Sequence, residues 1–489
     1  MYLGIDIGTS AVKAVLVGED EGLLAEAEEP LVIMRPHPLW AEQDPQDWWR
    51  ATETIVGRLR LAAPEAFAAV RGLGLSGQMH GAVLLDAAGD VLRPAILWND
   101  GRAHAECAAL ARRLPALGHI AGVPAMPGFT APKLLWLATN ETETFRKVAR
   151  VLLPKDYIRL RLTGEAVTDM SDAAGTLWLD EARRDWSDDI LAATGLTRAH
   201  MPRLVEGTAV AGTLRAEAAQ ALGLPPDLPV AGGAGDAAAG GIGIGAVDDG
   251  DAFLSLGTSG QYFVTTDSFR PYPEAYVHAF CHALPGRWFQ MAALLNGASA
   301  LGWAAKILGA DDIGALLART EVAFSGRPAR PLFLPYLTGE RTPHNDPHAR
   351  GVFFGLGPDV TREEMVQAVL EGVAFSFAEA QECLAHAGTH AASVAAIGGG
   401  SRSRFWMRLM ASALERPITL YSGGAKGPAF GAARLARIAT TGEDPAAVCR
   451  TPPVAEVIEP DRNLAEAYRP VFARFKRLYQ AVKSEFSSD

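Results

Sequence analysis

The segment MYLGIDIGTSAVKAVLV sets one carboxylate, Asp6, in an apolar run and follows it with Gly8, Thr9 and Ser10. Glycine lets a backbone approach a ligand closely, and exposed N–H groups with two hydroxyls can cradle an anion such as phosphate. Asp6 would repel that anion unless a cation lay between them, which points to Mg²⁺ held mostly through water. The pattern returns in FLSLGTSGQYFVTT, where Gly257, Thr258 and Ser259 stand between two apolar runs. One Gly-Thr-Ser bend can be an idle hairpin turn. Two of them, in separate halves of the chain, read as paired loops gripping one polyphosphate from both sides of a cleft.

Three other stretches have chemical potential. Asp236 stands in VAGGAGDAAAG with no cation near it in sequence, a setting that exposes backbone and raises the proton affinity of a carboxylate; alternatively it caps the helix that begins there. AAIGGGSRSRFWMRL carries Gly398, Gly399 and Gly400, whose backbone can lie against a flat adenine or ribose, while Ser401 reads equally well as a helix N-cap. SGQMHGAVLLD sets Gln78, Met79 and His80 in a loop between two apolar strands. ILWNDGR (Trp98, Asn99, Asp100, Arg102) and LPKDY (Lys155, Asp156) are polar loops of the same kind, facing either a ligand or each other as ion pairs. Gly423 to Gly427 form one more glycine-rich loop, against which stands close helix packing at Gly431 and Ala432.

The elements that must hold these residues alternate between strand and helix. Tyr2 to Asp6 and Ala11 to Val17 read as buried strands, and DPQDWWRATETIVGRL as a helix with Asp44 as N-cap and Pro45 at its first position. TREEMVQAVLEGVAFSFAEAQECLAHAG is a long helix opened by a Thr361/Glu364 capping box and stopped by Gly388. Tyr468, Phe472, Phe475, Tyr479 and Val482 recur at helical spacing, so a last amphipathic helix packs on the body. This is α/β patterning. Gly and Pro cluster in LGLPPDLPVAGGAGDAAAGGIGIGAV, and the expected division falls there, into 1–246 and 247–489.

Composition narrows the function classes. At 489 residues, 49% hydrophobic and 21% charged, the chain reads as an ordinary globular protein of two large domains. A net charge of −11 with no Lys/Arg run argues against a nucleic-acid partner. No apolar stretch reads as a membrane span or leader. Cys107, Cys281, Cys383 and Cys449 have no CxxC spacing, which fits reduced thiols and the cytoplasm.

With these motifs in order along the chain, the sequence resembles the FGGY carbohydrate kinases, the sugar-kinase branch of the actin-like ATPases. MPGFTAPKLLWL, with Lys133 and Trp136, is similar to that family's first signature, and GVFFGLGPDVTREEMVQAVLE to its second. The resemblance implies two actin-like (ribonuclease H-like) α/β domains with ATP-Mg²⁺ and a sugar between them. It implies a metal role for Asp6, nucleotide contacts from Thr9, Ser10, Lys13, Thr258, Ser259 and Gly398 to Gly400, and Asp236 as catalytic base and sugar contact. Met79, His80 and Trp98 would meet the sugar, a ketopentose, D-xylulose, rather than ribulose, gluconate or glycerol. Ala237 departs from the pattern, since close relatives carry an amide there, and a looser sugar site is expected. YLTGERTPHNDPHARG, with Glu340 and Arg341, reads as a structured loop near the cleft. A nucleotide-gated chaperone or filament shares the paired phosphate hairpins, but no peptide-binding appendage is legible. An idle sugar sensor would have lost Asp6 or Asp236. The oligomeric state, monomer or homodimer, stays open.

Overall fold

The computed structural model describes residues 1–422 and 427–486. Strand β1 (Tyr2–Ile7) is buried along its length because both faces of its sheet are covered. It pairs antiparallel with β2 (Ala11–Val17), which pairs with β3 (Leu23–Pro30). On its other side β1 runs parallel to β4 (Gly72–Gly77). β5 (Val210–Thr213), β6 (Pro229–Ala231) and the short β7 (Ala234–Gly235) complete seven strands, in the order β5-β6-β4-β1-β2-β3 with β7 also beside β4. A second seven-stranded sheet repeats the design with β8 (Ala252–Leu256), β9 (Gly260–Thr266), β10 (His278–Cys281), β11 (Trp288–Leu294), β12 (Val394–Ile397), β13 (Ile418–Tyr421) and β14 (Val454–Ile458). Its order is β10-β11-β9-β8-β12-β13-β14. At the heart of each sheet sits a hairpin whose bend is Gly-Thr-Ser, and its first strand has a parallel neighbour on the outer side. The expected pair of actin-like α/β domains is what these sheets form.

The helices obey their end signals. α1 (Pro45–Ala62) is capped by Asp44, whose carboxylate accepts the Gln46 N–H at 2.9 Å. α2 (Thr130–Asn140), α3 (Pro154–Thr163) and α4 (Asp236–Ile244) follow in the first half. α5 (Arg362–His386) begins with the reciprocal Thr361/Glu364 box and ends just before Gly388, at φ 83°. α6 (Arg404–Leu414) corrects one expectation: Ser403, not Ser401, is its cap, because Gly399–Arg402 forms a 3₁₀ turn in which the Ser401 hydroxyl donates back to Gly398 O at 2.7 Å. α7 (Pro428–Thr441) and α8 (Arg462–Val482) complete the set, and α8 buries Tyr468, Phe475 and Tyr479 against the second core. Of the loop Gly423 to Gly427, residues 423–426 lie outside the described residues.

Two helices cross between the sheets. α7, from the second half, lies directly on the first sheet: a Cβ at Gly4 or at Gly74 would sit 1.9 Å from the carbonyls of Ala429 and Ala432. α4, from the first half, runs close to the second sheet: a Cβ at Gly241 would lie 3.1 Å from Phe263 Cζ, and Ala238, Ala239 and Ile242 share one core cluster with Phe253 and Phe263. The helices meet at Gly431, where a Cβ would fall 1.9 Å from Ala239 O. Glycine in a strand interior is unfavourable alone and marks such close backbone approach. Among the described residues no helix is long and apolar enough to cross a membrane.

Candidate active site

Parallel strands bring the carboxylates together. In register, Asp6 on β1 stands opposite Ser76 on β4, and Ser76 opposite Ala234 on β7. One residue beyond β7 the chain turns into α4, so the Gly8–Ser10 bend, the Gln78–Gly81 loop and Asp236 all emerge at the carboxyl edge of one sheet, where ligands of α/β folds bind. Gly235 occupies the cap position; Asp236 is the first helical residue rather than the cap. Asp6 is 8% exposed, and its Oδ1 has no partner among the described residues. Burial pushes its carboxyl up to about 6, against the neighbouring Ser76 hydroxyl and Lys13. Burial, reinforced by the charge of Asp6, pushes Asp236 up to about 7.

A polar wall rises beside them. Trp98 Nε1 donates to Thr9 Oγ1 at 2.9 Å, Thr9 Oγ1 donates to Gln78 Oε1 at 3.0 Å, and Gln78 Nε2 donates to Gln43 Oε1 at 3.1 Å. The Thr9 hydroxyl is therefore engaged in the wall that carries Trp98, while Ser10 beyond it is exposed. Lys13 faces Asp6 across the hairpin and pairs with Glu28 at 3.6 Å. Met79 is buried against Gly235, where a Cβ would come within 2.9 Å of its Cγ. His80 adopts φ 69° and donates Nδ1–H to Gly175 O at 2.7 Å, which leaves Nε2 with its lone pair. Burial first, then the charges of Lys133 and Arg341, hold His80 well below the usual histidine range, so it stays neutral. Lys133 Nζ, itself fully buried, donates to His80 O at 2.8 Å and Ile96 O at 3.2 Å and fixes this unusual turn.

The second sheet carries the matching loops. Thr258 and Ser259 are exposed at the β8–β9 bend, and the loop backbone is held where Gly257 O accepts Ala298 N–H at 2.7 Å and Thr258 O accepts Gly297 N–H at 3.0 Å. Gly398, at φ 89°, brings the β12 loop so close that a Cβ would meet Leu256 O at 2.8 Å. Gly399 is exposed and Gly400 buried on Leu256. This loop separates two clefts, one of about 830 Å³ lined by Ala298, Leu301, Leu317, Gly399, Gly400 and Arg404, and one of about 600 Å³ lined by Ile397, Gly398, Leu420, Tyr421 and Glu456. Both have the size of small-ligand sites. From the same half, His278 stacks 6.0 Å from Phe129, which lies 4.2 Å from the His80 ring, so an aromatic row joins the halves at the wall. Glu340 is buried with Oε2 lacking a partner among the described residues, and burial pushes it to about 8.

The polar loops left open in the sequence resolve inward. Asp100 Oδ1 accepts from Arg102 Nε at 2.9 Å and its Oδ2 from Ala41 N–H at 2.7 Å, while Lys155 and Asp156 form a buried ion pair at 2.6 Å. Gly175 and the buried Ser171, which accepts the Gly235 N–H at 3.1 Å, escaped the sequence reading because no motif marks them. Lys133 carried a signature but no evident task, since its acceptors are backbone carbonyls.

Comparison with known proteins bears on the whole arrangement. The N-terminal-domain profile of the FGGY family of carbohydrate kinases matches residues 1–243 and the C-terminal-domain profile residues 252–440. A xylulose kinase of Klebsiella pneumoniae is 49% identical over 485 residues, covering 99% of both chains. The crystal structure of a xyloylose kinase from Brucella ovis superposes with a TM-score of 0.96 at 50% identity, over 99% of each chain. That of a gluconate kinase from Lactobacillus acidophilus gives 0.93 at 27% identity, over 99% of this chain and 98% of the other. Two like sheets, each with a Gly-Thr-Ser bend in its central hairpin, and full-length similarity agree: the chain belongs to the FGGY family of carbohydrate kinases.

Proposed function

We propose that this sugar kinase transfers the γ-phosphoryl group of ATP to the 5-hydroxyl of D-xylulose, with Asp236 as the base. The observation that carries the reading is the half-buried Asp236 carboxyl, placed at the sheet edge where the phosphate bend and the Met79–His80 loop emerge, with its proton affinity lifted to about 7. The full-length similarity to proteins named xylulose kinases supports the choice of sugar. Phosphoryl transfer asks little covalent chemistry of a protein: it needs an aimed hydroxyl, neutralised phosphoryl oxygens and a group to take the proton. Asp236 accepts the hydroxyl proton as the new oxygen–phosphorus bond forms and the bond to the bridging oxygen of ADP breaks. A base near 7 is matched to neutral pH: it is available in its ionised form and still binds the proton.

His80, neutral, offers Nε2 as an acceptor to a sugar hydroxyl, and Trp98 offers a face beside it. Met79 packs between that reader and the base. Ser10, Thr258, Ser259 and the loop backbones bind phosphate oxygens, Thr9 through its backbone while its hydroxyl tethers Trp98, and Lys13 adds positive charge. Gly398 to Gly400 bind the adenosine moiety. The residues fit Mg²⁺ travelling with ATP: Asp6 has one orphan oxygen, and no group of three or more His, Cys, Asp or Glu among the described residues could cage a metal. The ion supplies charge neutralisation on the phosphates when bound. Division of the chain near residue 246 into a sugar lobe and a nucleotide lobe is part of the same reading, as is a cytoplasmic setting, which the free thiols of Cys107, Cys281, Cys383 and Cys449 support. The test is Asp236→Ala: kcat is expected to fall by about 10² to 10⁴ with little change in KM for ATP. Near-normal turnover would remove Asp236 from the mechanism.

A further inference from the structure

Beneath the loop that delivers Asp236 lies a group of charges sealed from solvent. Lys155, Asp156 and Arg159 on α3, with Asp169 and Asp172 after the following turn, are all 0% exposed. Lys155 Nζ stands 2.6 Å from Asp156 Oδ1, 2.8 Å from Asp169 Oδ1 and 3.0 Å from Asp172 Oδ2. Arg159 lies 3.7 Å from Asp156 Oδ1 and donates to Ala231 O at 3.4 Å and Gly232 O at 2.5 Å. Asp169 Oδ2 accepts the Ser171 hydroxyl at 2.5 Å and the Ser171 N–H at 2.9 Å, and the Ser171 oxygen accepts the Gly235 N–H at 3.1 Å. Burial, against the pull of Lys155, raises Asp172 well above the usual carboxylate range, in a group that sets two cations among three acids.

Buried charges are costly, and apolar side chains of similar volume often pack as well. What apolar side chains cannot do is hold a backbone. The strand before Asp236 reads Ala231, Gly232, Gly233, Ala234, Gly235 and has almost no side chain to pack. The glycines are required: a Cβ at Gly232 would meet Glu206 O at 2.2 Å, and one at Gly233, at φ 72°, would meet Leu75 O at 2.1 Å. Such a segment can be fixed only through its N–H and carbonyl groups, and the cluster grips it at residues 231, 232 and 235.

We propose that Ser171, clamped by Asp169 and Lys155, is a positioning residue that sets the aim of Asp236 through the Gly235 N–H. The inference rests on Asp236 being the base, so its test is a double-mutant cycle on the full chain with ATP, Mg²⁺ and D-xylulose. Ser171→Ala should lower kcat about ten- to a hundredfold, the range set by a misaimed reacting group, while the affinity for a non-hydrolysable ATP analogue stays within about twofold. In an Asp236→Asn background the same change should cost nothing further, because residues acting as one unit are not additive. A kcat within about twofold of the unsubstituted protein, analogue affinity falling in step with kcat, or an equal loss in both backgrounds would overturn the positioning role and leave the base intact. Full activity of Asp236→Asn alone would overturn both. If Ser171→Ala does not fold, Asp169→Asn takes its place in the same cycle, since it weakens the clamp and leaves two acids, Asp156 and Asp172, beside the cations Lys155 and Arg159.

Discussion

Asp236 and Asp6 share one sheet edge, and each holds its proton longer than in the unfolded chain, where a carboxyl titrates near 3.8. The sign follows from linkage: the stability these groups contribute is complete below about pH 4 and is lost as pH rises through about 6 and 7. Asp236→Asn removes one of the two charges, so its Tm should exceed that of the unsubstituted protein near pH 8 and match it near pH 4. Thermal melts at the two pH values check this, and equal Tm near pH 8 would mean that the carboxyl is ionised at no cost. His80 presents a different case. A site built to hydrogen-bond a hydroxyl leaves buried polar groups unpaired when either partner is missing, so His80→Ala should raise KM for the sugar at least about tenfold with KM for ATP unchanged. Gly175→Ala should mimic it without removing any sugar contact, because its Cβ would lie 2.8 Å from His80 Nδ1 and 3.1 Å from Met79 Cε. Steady-state kinetics with each substrate varied separates these outcomes; a His80→Ala protein with normal sugar KM would make the histidine structural.

Among the elements, α7 is the one whose position the sequence conceals. Its strand partners lie more than 350 residues away, at Gly4 and Gly74, and local periodicity carries no such information. What was legible were features written locally: the Asp44 and Thr361 caps, the hairpins on either side of each Gly-Thr-Ser, and the stripe of α8. The close packing weighed for Gly431 was real because α4 crosses there, but the glycines that admit α7 sat unremarked inside strands. The same limit explains the site. Asp236, Asp6 and the Met79–His80 loop stood out by residue type, whereas Ser171, Gly175 and Lys133 act on backbone groups brought near only by folding. Gly74→Ala should therefore destabilise the protein by about 3 kcal/mol or more, as overpacking against rigid backbone does. Gly57→Ala, inside α1 with nothing within 4 Å of the new Cβ, should stabilise it by about 0.5–1 kcal/mol. Urea denaturation of the pair reads both, and a tolerated Gly74→Ala would show that α7 can lift from the sheet.

In the whole molecule, α4 and α7 cross between the two sheets, so each sheet is packed by a helix from the other half. The aromatic row from His80 through Phe129 to His278 ties the halves beside the Met79–His80 loop, and Gly399 and Gly400 line the cleft of about 830 Å³ in the second half. On the proposed mechanism this arrangement binds ATP alone, yet completes the reacting geometry only when a hydroxyl stands between Asp236 and the γ-phosphate. A gluconate kinase shares the fold, so the choice of sugar belongs to side chains and not to the architecture. ADP release by the unsubstituted protein with ATP-Mg²⁺, measured across D-xylulose, ribulose, gluconate, glycerol and no acceptor, brings every part of the account to bear at once. D-Xylulose should give the highest kcat/KM, with ADP and sugar phosphate formed one to one and only slow hydrolysis without acceptor. A higher kcat/KM for any other acceptor, or ADP release at the same rate without sugar, would contradict it.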